Sequence, residues 1–222
     1  MKIQGFLDQL LKTAQQSASG LGDAAGVKSG ADFGKGALAG GALGMLLGNR
    51  KARKMGGKAA VYGGLAAVGV LAYKAYGDWQ KQQAGAGATV EPRTVDRLPP
   101  PEAESHSQAI LKALIAAAKA DGHVDDCERA VIEGEFSRLD AAPEVRQWLQ
   151  AELQKPLDPA EVASAATTPE MASEMYLASL LAADEQNFME RAYLDELARQ
   201  LKLDEGLKAR LEQQVKEAGD AV

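Results

Sequence analysis

From Ser105 onward, each apolar stretch at helical spacing is closed by a turn signal and reopened by a capping residue or proline, which confines this part of the chain to short helices. The first stretch carries Ile110, Leu111, Leu114, Ile115 and Ala118 on one face and stops at the turn dipeptide Asp121-Gly122. Asp125 is a candidate N-cap, and Glu128 three residues on completes a capping-box pattern ahead of Val131, Ile132, Phe136 and Leu139. Pro143 suits the first turn of a third helix bearing Val145, Trp148, Leu149 and Leu153. Asp158-Pro159 and Thr168-Pro169 open a fourth and a fifth, the latter through Met171, Met175, Tyr176 and Leu180. Asn187, with Glu190 at the matching box position, opens a sixth through Tyr193, Leu194, Leu197 and Leu201, and Asp204 starts a last one through Leu207, Leu211 and Val215. The spacing predicts an all-α fold, about seven short helices around one core in residues 105–222. Aromatic residues make up only 5% of the chain and β-branched runs are few, so a sheet has little support.

The chain ahead of this region differs in kind. Residues 1–90 carry eleven Lys/Arg and four Asp/Glu, and 91–222 carry fourteen and twenty-seven, so the net charge of −6 divides into +7 and −13. Within 1–34, Ile3, Phe6, Leu7, Leu10 and Leu11 fall on one face of a short amphipathic helix, followed by polar, Gly-rich residues. No continuous apolar core of a secretory signal follows the charged start. Residues 35–79 read as a Gly/Ala-rich membrane anchor in two apolar runs, 36–48 and 59–73, around a basic loop at 50–58. The first run is short of the roughly 17–25 residues a span needs, whereas the second, flanked by Lys74, Tyr76 and Trp79, is expected to cross, so the anchor is one span or a hairpin. Gly36, Gly40, Gly44 and Gly48 share one helical face, a surface for close helix–helix approach and homo-oligomer formation in lipid. Residues 80–104, with Pro92 and Pro99 to Pro101, read as a Pro-rich linker between anchor and domain. The positive-inside rule puts the loop at 50–58 in the cytoplasm and the C-terminal domain outside, but Lys74, Lys81, Arg93 and Arg97 weaken that asymmetry and leave the side open.

Two junctions of the helical region echo one another, ALIAAAKADGHVDDCERAVI and ASLLAADEQNFMERAYLDEL, which implies two related halves. The segment AAAKADGHVDDCERAVI resembles the hallmark turn of the TerB-like superfamily, named for a tellurite-resistance protein, and ERAYLDELARQL resembles the second-half signature of its membrane-anchored branch. The whole layout is similar to the uncharacterised bacterial inner-membrane family typified by YebE. The resemblance implies a TerB-like helical bundle, an inner-membrane location and an association with stress responses, with no established activity to carry over.

Asp121 and Asp184 sit at helix C-termini, against the negative end of the helix dipole. With Asp125, Glu128 and Glu190 they form a candidate set of oxygen ligands for a divalent cation, a use the TerB-like resemblance also implies. The competing reading is that Asp-Gly is an ordinary turn and that Glu128 and Glu190 are capping-box members. An EF-hand is rejected, because counting from Asp121 the third position is His123 and the twelfth is Ile132. Cys127 with His123 makes half a metal site at best, and His106, the other histidine, lies at the linker edge, so no nucleophile–base constellation is present and no enzyme is expected. Met171, Met175 and Met189 read as core fillers. No phosphate-cradling GxxxxGK[ST] occurs, and the acidic domain argues against nucleic acid. The expectation is a membrane-anchored, non-enzymatic interaction or stress-response module with lipid and an unidentified protein as partners; the alternative is a divalent-metal-sensing domain.

Overall fold

The computed structural model describes residues 3–9, 65–84, 91–120, 142–183 and 187–220. Eight helices and no strands appear among them: α1 (3–9), α2 (Leu65–Ala84), α3 (Pro100–Ala118), α4 (Pro143–Gln154), α5 (Pro159–Ala163), α6 (Pro169–Ala182), α7 (Phe188–Gln200) and α8 (Glu205–Asp220). The punctuation read from the sequence acts locally as expected. Asp158 accepts from Ala160 N at 2.9 Å, Thr168 from Met171 N at 3.1 Å, and Asn187 from Met189 N at 2.9 Å, each relieving an orphan donor of a helix start. Asp204 accepts from Gly206 N at 2.9 Å and Leu207 N at 3.3 Å. Between α7 and α8 the chain turns through Lys202, which holds a left-handed φ of 55°. Lys202 N donates to Arg199 O and Leu203 N to Ala198 O, each at 3.1 Å, the paired bonds of a Schellman C-cap where glycine is the usual residue.

Helix α6 is the axle. It packs against α2, α3, α7 and α8, and it is buried nearly all round, which is why its sequence lacks the polar face of a surface helix. Its neighbour α3 runs parallel to it: His106 meets Glu174 near the start of the pair, and Ser179 Oγ donates to Ala113 O at 3.4 Å one to two turns later. Helix α8 runs antiparallel to α2, with Trp79 against Asp204 and Lys74 near Glu217.

Part of the run expected to cross a membrane is among the described residues. Its part from Leu65 onward is α2, and Leu65, Val68, Leu71, Ala72, Ala75 and Tyr76 join the same core as α3, α6 and α8. Burying each of the large aliphatic members is worth about 1.5–3 kcal/mol, whether the apolar surroundings are lipid or protein. No helix among the described residues is long and apolar enough to cross a membrane. Residues 10–64, with Gly36, Gly40, Gly44, Gly48 and the basic loop, lie outside the described residues.

Helix α1 also enters this core, with Ile3, Phe6 and Leu7 buried. Its N-terminus is capped from a distance: the Glu104 carboxylate on α3 accepts from Ile3 N and, at 3.0 Å, from Gln4 N. Residues 91–99, inside the stretch read as a linker, form a strap along α2 and α6, with Thr94 and Val95 buried. Asp96 of the strap lies so close to Gly69 of α2 that a Cβ there would come within 2.5 Å of its Oδ1. The Arg97 guanidinium stacks over the Tyr73 ring at 3.8 Å from its centroid. Met171 and Met175 fill the core as expected, but Met189, at 56% exposed, does not, and it stands beside Phe188 at 77%.

Candidate functional site

The parallel α3–α6 pair carries a polar seam through an otherwise apolar interior. Glu174, 0% exposed, accepts from Val95 N of the strap at 2.6 Å and contacts His106 Nδ1 of α3. Burial pushes the Glu174 carboxyl above its ordinary range, the charges and hydrogen bonds of His106 and Val95 pull it back, and Asp96 adds to the upward push. One carboxylate thus ties α6, α3 and the strap together, and His106, read at the linker edge, is buried inside the domain. Further along, Ser107 and Ser173 turn their hydroxyls to carbonyls one turn back on their own helices, at 2.6 and 2.8 Å. On α7, burial pushes the Tyr193 phenol well up, only partly offset by Ser179, and its Oη has no well-formed hydrogen bond.

Because the two helices are parallel, Ala120 after α3 and Ala183 after α6 leave the bundle at the same end, where Tyr193 and Ser179 also lie. The residues that follow in sequence are Asp121 and Asp184. Asp121, Asp125, Glu128 and Asp184 lie outside the described residues, as do His123 and Cys127. Glu190 is described, half-buried in the first turn of α7, where a carboxylate suits the positive end of the helix dipole. Among the described residues no group of three or more His, Cys, Asp or Glu is placed to hold a metal ion.

Two concave surfaces lie away from the seam. One is an ionic cluster joining α3, α4 and α5. Lys112 Nζ donates to Glu161 Oε1 at 2.8 Å, Lys155 Nζ to Glu152 Oε1 at 2.5 Å and to Glu161 Oε1 at 3.1 Å, and Lys119 Nζ to Glu152 O at 3.2 Å. Lys112 holds the Glu161 carboxyl below its ordinary range, and Glu152 raises the Lys155 ammonium. The space inside it is about 10 Å³, no room for a ligand. The other is a groove of about 580 Å³ between the end of α2, the α5–α6 connection and the α7–α8 turn. Tyr76, Trp79, Leu203 and Leu207 supply apolar wall, and Trp79 Nε1 donates to Asp204 Oδ1 at 2.8 Å, holding that carboxyl below its ordinary range.

This helical architecture extends over a family match. Residues 32–215 match the family model described as "Protein of unknown function (DUF533)". The chain belongs to the DUF533 family. DUF533 is a TerB-like family, in agreement with the resemblance carried by the Asp121 and Glu190 junctions. Over 115 residues this DUF533 chain is 31% identical to an uncharacterized protein in the ampR 5′ region of Yersinia enterocolitica, an overlap covering 52% of this chain and 83% of that one. No solved structure matches the DUF533 chain significantly.

Sequence reading missed the seam. Glu174 lies at a position flanked by Met171, Met175 and Tyr176, where an acidic residue amid core positions is the one available signal of a buried polar contact. Its partners at positions 95 and 106 are 79 and 68 residues away, so no local pattern names them.

Proposed function

We propose that this DUF533 protein is a membrane-associated, non-enzymatic binding module in which the segment around Gly36–Gly48 and the basic loop at 50–58 meets lipid, and the acidic helical bundle recruits a protein partner. The observation that carries the reading is the division of charge, +7 over residues 1–90 and −13 over residues 91–222. A basic, Gly-rich segment is drawn to anionic lipid headgroups, while an acidic bundle is repelled from them and stays available in the aqueous phase. The glycine face at Gly36, Gly40, Gly44 and Gly48 adds a surface for association between copies. The kinship of layout with the inner-membrane branch typified by YebE supports a bacterial inner-membrane location and a part in stress responses. Deleting residues 36–58, which spares every described helix, is the test. The deleted protein is expected to leave the membrane pellet for the supernatant while keeping its helical circular dichroism, and a truncated protein that still pellets sinks the reading.

A second reading is that the bundle senses a divalent cation, and the observation that favours it is the parallel packing of α3 and α6. It brings the residues directly before Asp121 and Asp184, Ala120 and Ala183, to one end of the domain. Asp125, Glu128 and Glu190 would complete an oxygen-rich set suited to Ca²⁺ or Mg²⁺. Titration calorimetry of the full chain with each cation tests it. Binding that Asp121→Ala and Asp184→Ala each abolish supports the reading; no heat, or heat indifferent to both substitutions, removes it.

A further inference from the structure

We infer that the groove between the end of α2, the α5–α6 connection and the α7–α8 turn binds a small amphipathic anion, an aliphatic carboxylic acid whose charged end is held by Lys202. The site lies wholly within the helical bundle, and the inference stands apart from the membrane reading. Its space of about 580 Å³ falls in the range of roughly 300–1,000 Å³ that ligand pockets occupy. Ala163, Ala166 and Ala172 border it opposite the larger apolar residues, and their short side chains leave that space unfilled. The aromatic wall is set before anything binds. The Trp79 ring packs on Tyr76 at 5.4 Å between centroids, tilted by 49°, and its Nε1–H is engaged by Asp204. Gly206 makes room for that contact, since a Cβ there would stand 3.0 Å from Asp204 Oδ1 and 3.6 Å from Trp79 Cδ1. A wall held in this way loses little freedom when a ligand arrives.

The sign of the ligand's charge follows from the side chains. The starts of α6 and α8 and the ends of α5 and α7 all border the groove, so their dipoles largely cancel. Two charged residues line it. Asp204 is already occupied, its Oδ1 accepting from Trp79 Nε1, Gly206 N and Leu207 N. Lys202 is exposed, and its ammonium makes no ion pair or hydrogen bond among the described residues. Glu170, whose charge reaches the Tyr76 phenol, disfavours an anion on that side and leaves Lys202 as the anchor. Lys202 is also the residue at φ 55°, in a C-cap position that glycine holds without strain and lysine does not. The turn thus keeps an ammonium at the rim of the groove at a cost in stability, as strained positions at functional sites do. The supply of polar partners favours an aliphatic acid over a peptide. Ser164 Oγ donates to Glu161 O at 2.6 Å, and Thr168 Oγ1 accepts from Met171 N at 3.1 Å. A peptide needs a donor and an acceptor partner at each residue, whereas an aliphatic acid needs one charged partner at its end.

The test adds dodecanoate, below its micelle concentration, to the isotope-labelled full chain and follows the indole N–H signals by nuclear magnetic resonance. The chain has two tryptophans, Trp79 in the groove wall and Trp148 on α4 outside it, so one reports and the other is the control. Dodecanoate is expected to shift the Trp79 signal saturably and leave that of Trp148 in place, and dodecyltrimethylammonium is expected to shift neither. No saturable shift of Trp79 with dodecanoate, or equal affinity for the cation, overturns the inference. Lys202→Gly is expected to raise the melting temperature and to weaken dodecanoate binding about fivefold, the upper end for an exposed ion pair, and Lys202→Glu to weaken it further. A lysine with a part in the turn alone would move the melting temperature and leave the affinity unchanged, and that result also overturns the inference. Tighter binding of an acetylated five-residue peptide of alanine and leucine with a free C-terminus overturns it in favour of a protein's C-terminus.

Discussion

Glu174 is the single side chain whose removal tests the most of this architecture. Glu174→Ala leaves Val95 N–H without its acceptor and His106 Nδ1 without its hydrogen-bond partner in a site of 0% exposure. Each buried polar group stranded in this way costs about 1–3 kcal/mol, so the expected destabilisation from the two is about 2–6 kcal/mol. Against a total of about 5–15 kcal/mol for a domain, that is large enough to measure by urea unfolding followed by circular dichroism. The strap has a cheaper escape than the helices, since Val95 N–H regains water by lifting off. Tryptic cleavage at Arg93 and Arg97 is therefore expected to accelerate in the variant before the helices unfold. The pH dependence has a definite sign. Burial raises the Glu174 carboxyl above its ordinary 4.5, so the folded state keeps the proton to higher pH than the unfolded chain. Its contribution to stability is full below 4.5 and declines as pH rises through the folded-state value. Glu174→Gln, which keeps an acceptor for Val95 N but cannot ionise, is expected to flatten that decline. A Glu174→Ala protein within about 0.5 kcal/mol of wild type, with unchanged tryptic rate, would refute the reasoning, because that range is what an inconsequential surface change produces.

Other perturbations follow from the same packing. Gly69→Ala should forfeit the roughly 1 kcal/mol that alanine ordinarily gains over glycine in a helix, because its Cβ meets Asp96, and the gain should reappear in urea titrations of an Asp96→Gly background. Thr168→Ala should cost about 1 kcal/mol by stripping the cap from Met171 N, and an unchanged urea midpoint would count against the cap. Lys202→Gly should stabilise the α7–α8 turn by up to about 1 kcal/mol, read as a raised melting temperature, by relieving the left-handed φ of 55°. Ile3→Asp should release α1, so that amide exchange in residues 3–9 speeds up while that of α3 and α6 stays protected.

What the sequence by itself determined is the set of helix starts and stops from residue 142 on. Asp158, Thr168, Asn187 and Asp204 act on donors two or three residues away, and an interaction of that range is written in the local order of residues. Apolar periodicity likewise named the inward faces of α3, α4, α6, α7 and α8, because side-chain direction follows from backbone geometry alone. It could not say what those faces meet. The run beginning at Ala59 looks the same whether its solvent is lipid or protein, since both reward removal of apolar surface from water, and only the fold committed Leu65 to Tyr76 to α6 and α8. Gly69 carried no distinguishing signal in the sequence, and the structure supplied the group that approaches it, Asp96 of a strap. Glu104 over α1 and Glu174 under Val95 are bonds across 101 and 79 residues, decided by which helices lie side by side. The parallel sense of α3 and α6, which brings Ala120 and Ala183 to one end of the bundle, is of the same kind: chain direction within a bundle depends on connections that no local pattern carries.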